Sequence, residues 1–341
     1  MPLAPNWSEI QAARRRIAPF AHRTPIHTSS LLDAACGARV FLKCENFQRT
    51  GSFKFRGAVN AVAGLSADER PRGVVADSSG NHAQALALAA RLHEIPATLV
   101  MPKDSNPTKV GATRDYGARV LFCDPTHSGR REVVERIAHE TRACYISPHD
   151  DPFVVAGQAS ATCELLEEAK DLDLILAPVG GGGLLSGTLL AARHVVPHAR
   201  VIGCEPEGAD DAARSLQTGS RVTDFTPNTI ADGLRTPLGE LPFTILRRLS
   251  LDDIVLVSEA DIRTTMRFLW ERTKLVVEPS AAVAVAPLLC GKLRVPGQRV
   301  GILLSGGNVD FAPYFVGIQG AGHLHPHRPL LPPEGSVGDA V

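Results

Sequence analysis

From Gly73 onward the chain alternates short β-branched runs with longer helical stretches, and few folds admit that alternation. Residues 73–76, 97–101, 119–123 and 144–146 read as strands, and 83–92, 107–116 and 130–141 as the helices between them. The pattern resumes after Pro148 with a helix at 154–169, a strand at 173–179, a helix at 184–195 and a strand at 200–204. A strand at 253–257, helices at 259–273 and 280–289, and a strand at 299–304 follow. Such βαβ units build parallel sheets covered by helices on both faces. The expected fold is α/β: two three-layer open parallel-sheet domains. One is a small domain over 51–147 with its core at 73–147. The other is a large domain over 148–320, completed by residues 1–50. In that N-terminal segment Ser8-Glu9-Ile10-Gln11 reads as a capping box, 30–35 as a short helix ended by Gly37, and 39–45 as a strand. Residues 321–341, rich in Gly, Pro and His without periodicity, are expected to be disordered.

Charge and cysteine content narrow the class of function. Lys plus Arg and Asp plus Glu balance at 36 each, which leaves no electrostatic footprint for nucleic acid or an anionic membrane. No apolar run approaches the ~20 residues of a membrane span, and no signal peptide is read at the N-terminus. The seven cysteines are odd in number and none is spaced as CxxC, so buried reduced thiols in a cytoplasmic protein are expected.

The chemistry concentrates in a few strand-to-helix junctions. Thr50 to Ala58 (TGSFKFRGA) follows the 39–45 strand and opens a helix, with Ser52 or Thr50 as its expected cap. Lys54 then falls in the first turn, at the positive end of the helix dipole, where the neutral, nucleophilic amine is favoured over the ammonium. Arg56 is expected to push the same way. Gly180 to Gly183 follow another strand and offer backbone amides at a helix N-terminus, a seat for phosphate. The spacing fails the dinucleotide fingerprint, because the sixth place is Leu185 or Ser186, and no lysine follows to make a Walker loop. A single phosphomonoester fits better. Ser78-Ser79-Gly80-Asn81-His82 reads as a carboxylate cup or, equally well, as an ordinary helix cap. Ser305 ends the last strand, where ligands of open parallel sheets sit. Glu205, Asp210 and Asp211 suit a hard divalent cation, and a solvated acidic helix start explains them as well.

A reactive lysine, a monophosphate seat and a carboxylate cup point to pyridoxal phosphate acting on an amino acid. The chain resembles the fold type II (tryptophan synthase beta-like) pyridoxal-phosphate enzymes, in the branch of serine/threonine dehydratases and serine racemases. The motifs that carry the resemblance are Glu45 to Ala58, Ser78 to His82, the tetraglycine, Glu278-Pro279-Ser280 and Ser305-Gly306-Gly307-Asn308, in that order. The resemblance implies a cofactor in the cleft between two domains, a homodimer and a residue-by-residue site. Lys54 would be the Schiff-base lysine and Phe53 the residue beside the cofactor ring. Asn81 would meet the 3′-oxygen, Gly180, Gly181, Gly182 and Gly183 the phosphate, and Ser305 the pyridine nitrogen. Gly233 and Glu278 would line the pocket. Ser78, Ser79, Asn81 and His82 would contact the substrate carboxylate, and Ser79 would be the second base of a racemase. Glu205, the carbonyl of Ala209, and Asp211 would form a Mg or Ca site.

The implied activity is elimination of water from a β-hydroxy-α-amino acid of the L-serine/L-threonine type, giving a 2-keto acid and ammonia. Serine racemase, 3-hydroxyaspartate dehydratase and a hydroxyectoine-catabolic dehydratase are alternatives within the branch. A nicotinamide-dependent oxidoreductase built on the Gly180 loop and Glu205, and an amino-acid-binding module without catalysis, are the alternatives outside it.

Overall fold

Two parallel sheets organise the chain in the computed structural model, which describes residues 3–78, 80–105, 107–124, 127–248 and 250–311. The strands are β1 (Ile26–His27), β2 (Arg39–Cys44), β3 (Val74–Asp77), β4 (Ala97–Pro102), β5 (Arg119–Cys123), β6 (Cys144–Tyr145), β7 (Leu174–Pro178), β8 (Arg200–Pro206), β9 (Asp253–Val257) and β10 (Arg299–Leu304). The large sheet runs β1-β2-β10-β7-β8-β9 and the small one β5-β4-β3-β6. Every pairing is parallel except β1 with β2, an antiparallel edge that the βαβ pattern did not announce. The N-terminal segment adds β1 and β2 to the large sheet, with β2 lying beside β10.

The helices are α1 (Trp7–Ile17), α2 (Ser30–Cys36), α3 (Lys54–Ala63), α4 (Asn81–Leu92), α5 (Pro107–Asp115), α6 (His127–Thr141), α7 (Pro152–Glu168), α8 (Gly183–Val195), α9 (Asp211–Thr218), α10 (Glu240–Arg248), α11 (Glu259–Phe268), α12 (Pro279–Ala282) and α13 (Ala286–Leu289). Alternate strand residues face opposite helical layers, as the pleat requires. In the small sheet Val74, Ala76 and Leu99 pack with Phe55, Val59 and Leu86 from α3 and α4. Val75, Val100 and Cys123 pack with Val134 and Ile137 from α6. Ile175, Ala177, Val201 and Leu303 of the large sheet meet Leu165 of α7 and Leu185 of α8. Helix α3 packs against both α4 and α7, so the lysine helix touches the helical layers of both sheets. Residues 1–308 form one compact unit.

Several local expectations shift. The capping box at the first helix is made by Asn6 and Glu9, each side chain accepting from the other's backbone N–H, and not by Ser8 and Gln11. The helix read at 280–289 is two short pieces, because Pro287 supplies no N–H to the turn before it. The helix read at 259–273 ends its α-form at Phe268 and continues as one π turn, Leu269–Thr273. The seven cysteines are all free thiols. Among the described residues no helix is long and apolar enough to cross a membrane. The expected disordered tail, with His323, His325 and His327, lies outside the described residues.

Candidate active site

Segment 50–53 is stitched to segment 305–308, and that stitching places Lys54. The Phe53 N–H donates to the Ser305 carbonyl at 3.0 Å, and the Gly307 N–H to the Gly51 carbonyl at 2.9 Å. Ser52 bridges Gly306, and Asn308 Nδ2 donates to the Thr50 carbonyl at 2.7 Å. Thr50 is held at φ 58°, a left-handed conformation that costs a β-branched residue energy. The helix then starts at Lys54 with Phe53 as its N-cap and no side-chain cap. The expected caps are not used: the hydroxyls of Ser52 and Thr50 are buried without a hydrogen-bond partner. Ser52 is drawn into the bridge, and Thr50 lies outside capping range.

Lys54 is half-buried, its Nζ donating to the Pro148 carbonyl at 2.8 Å and lying 5.0 Å from the centre of the Phe53 ring. Burial pushes the amine down to about 8, against the opposing pull of the Glu278 carboxylate. Arg56 takes no part in this shift. It is fully buried and its guanidinium is spent on two carboxylates, Glu45 (2.7 Å) and Glu164 (2.8 Å). Glu164 also accepts from the buried Lys43 at 2.6 Å. This four-charge cluster is neutral overall and ties α3 to β2 and α7.

Several of the other expected site residues are linked to one another, and Glu278 acts on Lys54. Glu278 is buried, accepts from Asn81 Nδ2 at 2.9 and 3.1 Å, and is pushed up to about 7 by burial and then by nearby Asp232. Asn81 Oδ1 accepts from Asn308 at 2.8 Å. Gly233 donates its N–H to Ser280 Oγ at 3.0 Å, and a β-carbon there would stand 2.9 Å from that oxygen. Ser78 Oγ accepts from the Gly80 N–H at 3.3 Å, a local turn. Helix α4 starts after Gly80 without a side-chain cap, so its first N–H groups are open donors. His82 is buried, its Nε2 set at 3.0 Å from the Ile146 carbonyl and its Nδ1 without a partner. Burial, then Lys54, push it down to about 3, so the ring is neutral and its one N–H belongs to Ile146. What His82 offers a carboxylate is its backbone N–H. Ser79 lies outside the described residues.

The four glycines follow β7 and open α8. Gly182, at φ 87°, is the N-cap and needs the left-handed region closed to most side chains. A β-carbon at Gly180 would come within 2.8 Å of the Leu234 backbone, and one at Gly181 would run into the His149 ring. His149 is a site residue missed in the sequence. It follows β6 just as Ser78 follows β3, the tetraglycine β7, and Ser305 β10. The rule that ligands lie beyond the carboxyl ends of strands, applied to β6, would have found it.

Ser305 Oγ is buried, 2% of the residue being exposed, and has no partner. With a glycine cradle that tolerates no side chain and an amine of lowered basicity, that orphaned hydroxyl fits pyridoxal phosphate. Glu205 caps α9 through the Ala212 and Ala213 N–H groups, both at 2.9 Å, and Asp211 accepts from the Leu238 N–H at 2.7 Å. Burial pushes Glu205 up to about 8 and Asp211 to about 6. Ala209 is buried beside them in chain order. Among the described residues no group of three or more His, Cys, Asp or Glu side chains is gathered to hold a metal.

The chain is similar to known proteins over most of its length. Residues 17–306 match the family model described as pyridoxal-phosphate dependent enzyme. An L-threo-3-hydroxyaspartate ammonia-lyase of a Pseudomonas species is 48% identical over 92% of this chain and 99% of its own. One from Saccharomyces cerevisiae is 46% identical over 93% of this chain and 98% of its own. The structure of maize serine racemase superposes with a TM-score of 0.88 at 40% identity, covering 91% of this chain and 96% of that one. The chain belongs to the pyridoxal-phosphate dependent enzymes, of fold type II.

Proposed function

We propose that the protein is an ammonia-lyase that removes water from a β-hydroxy-α-amino acid, with L-threo-3-hydroxyaspartate as its substrate. The observation that carries the lyase reading is Lys54: an amine lowered to about 8, at hydrogen-bond distance from one backbone carbonyl, beside Asn81, Glu278 and the orphaned Ser305 hydroxyl. The choice of substrate is supported by the relatives named above.

Lys54, Asn81, Ser305 and Gly180 to Gly183 would hold pyridoxal phosphate, which supplies an electron sink for charge developed at Cα. The open N–H groups at the start of α4 seat the α-carboxylate. Lys54 Nζ, neutral above pH ~8, takes the Cα proton. A hydroxyl at 305 would face the ring nitrogen and need not protonate it, which suits elimination over transamination. The products are a 2-keto acid and ammonia.

The experiment is a panel of L-threo-3-hydroxyaspartate, L-serine and L-threonine with the wild type and Lys54→Ala, reading 2-keto acid and the yellow imine absorbance of the holoenzyme. Wild type should prefer hydroxyaspartate, and the variant should lose both product and colour. A normal imine band in Lys54→Ala would sink the assignment.

Likeness to maize serine racemase supports a second activity, racemisation, with Ser79 as the base opposing Lys54. Ser79→Ala should remove racemisation and leave elimination largely intact, and equal loss of both would count against it. We also propose the division into a large domain, 1–50 with 148–320, and a small one, 51–147. A homodimer and a cytoplasmic location belong to the same reading, the latter supported by seven free thiols. A Mg or Ca ion at Glu205, the Ala209 carbonyl and Asp211 is supported by Asp211 Oδ1, buried without a partner. A rise in Tm with added Mg or Ca, absent in Asp211→Asn, tests it.

A further inference from the structure

The lysine helix is held along its length by one stretch of chain, residues 148–158, which leads into α7. Lys54 Nζ donates to the Pro148 carbonyl at 2.8 Å. One turn on, the Gly57 N–H donates to Gln158 Oε1 at 3.2 Å, and Asn60 Nδ2 donates to the Phe153 carbonyl at 2.7 Å. Between these points α3 and α7 touch backbone to backbone. A β-carbon at Gly157 would stand 2.6 Å from the Arg56 carbonyl oxygen and 2.7 Å from the Gly57 Cα. Apolar contact at such a crossing is non-directional and fixes no register along the helix axes, whereas a hydrogen bond does.

Gln158 is fully buried, and its Nε2 has no partner among the described residues. A buried amide nitrogen without an acceptor is costly, and a methionine of similar length would fill the space without that cost. Stability therefore does not account for a glutamine here. Its useful atom is Oε1. In a regular first turn the Phe53 carbonyl would accept from Gly57. Here that carbonyl accepts from the Arg56 N–H at 3.0 Å, and Gln158 supplies Gly57 with an acceptor from α7. The amide is held one way round, since its reverse would set donor against donor. Gly57 belongs to the same arrangement, because a β-carbon there would run into the Gln158 amide.

We propose that Gln158 is a positioning residue for the reaction: its Oε1 fixes α3 in register along α7 and so keeps the Lys54 amine at the Pro148 carbonyl. This rests on the reading of Lys54 as the reactive amine of an ammonia-lyase and deepens it.

The test compares the wild type with Gln158→Met, which keeps the length and removes the acceptor, and Gln158→Glu, which keeps an oxygen there. Three quantities are read: the rate at which apoprotein captures pyridoxal phosphate as the yellow imine, kcat and KM of the holoenzyme for L-threo-3-hydroxyaspartate, and Tm of the apoprotein. In Gln158→Met the capture rate and kcat should each fall on the order of 10- to 100-fold, because a reacting amine set off its line loses rate steeply. KM should change by less than about 3-fold, and Tm should hold or rise, since the unpartnered amide nitrogen is gone. Gln158→Glu should lose less of both rates, and the Met variant carries the test alone if the Glu variant does not fold. Unchanged capture and kcat in Gln158→Met overturn the inference. So does a fall in Tm with both rates intact, which would make Gln158 merely structural, and so does a folded Gln158→Glu as slow as Gln158→Met. A wild type that captures the cofactor but releases no ammonia from hydroxyaspartate refutes the ammonia-lyase reading, and capture slowed in Gln158→Met then still upholds Gln158.

Discussion

Lys54 sits where two effects reinforce each other. The open N–H groups at the start of α3 and the loss of water around the amine both favour its neutral form. Below pH ~8 the amine is protonated and above it free, against 10.5 for an ordinary lysine. The capture of pyridoxal phosphate by apoprotein should therefore quicken as pH rises through about 8. A midpoint near 10.5, followed by stopped-flow absorbance, would contradict the site. Ser305→Ala removes a hydroxyl that no described residue uses, so cofactor Kd should rise about 2- to 10-fold with little change in Tm. At this scale Lys54, Ser305 and Asn81 could be proposed from the sequence, because their residue types carry their chemistry openly. It misleads about Arg56. A guanidinium two residues from Lys54 looks like an electrostatic neighbour, yet its partners Glu45 and Glu164 are 11 and 108 positions away and invisible locally.

Helices α3 and α7 are joined through charges and not only through apolar faces. Glu164 is held below the usual carboxylate range by Arg56 and Lys43 despite its burial. Its contribution to stability is present above the unfolded-state value near 4.5 and is lost as pH falls through the lower folded one. Glu164→Gln leaves two buried cations facing one carboxylate and should cost about 3–5 kcal/mol in urea unfolding. The glycine loop is the other exacting element. Gly181→Ala would strike the His149 ring, so it should displace that ring, weaken cofactor retention and cost about 1–3 kcal/mol. Helices and strands from 73 to 204 are legible because period and length agree there. Between 205 and 252 they are not: α9 and α10 are 8 and 9 residues long, barely more than two turns in which a helical period can show itself. The two residues of β1 carry no pattern at all.

On the scale of the molecule, the site stands at the carboxyl ends of strands from both sheets: β3 and β6 of the small one, β7 and β10 of the large one. Lys109 of α5 pairs with Asp232 at 2.6 Å, joining a helix over the small sheet to the turn that carries Gly233. Lys109→Met should loosen that join, raising KM about 2- to 5-fold with kcat nearly unchanged. A parallel fall in kcat would mean that the pair acts on the chemistry itself. The alternation of strand and helix made two parallel sheets legible, and the motifs suggested one site fed by both. The Lys109–Asp232 pair was not legible, because Lys109 stands in no motif and lies 123 positions from Asp232.

The place of β2 has a consequence for how the protein is made. β2 pairs with β10, so Arg39 waits for Arg299 and Cys44 for Leu304. A chain growing from its N-terminus can close the small sheet once Tyr145 has emerged, but the large sheet stays open along β2 until β10 arrives. The same late event brings Ser305 to Phe53 and so fixes Lys54. The nascent chain therefore carries its reactive lysine, unplaced, until the segment from Arg299 to Asn308 has emerged.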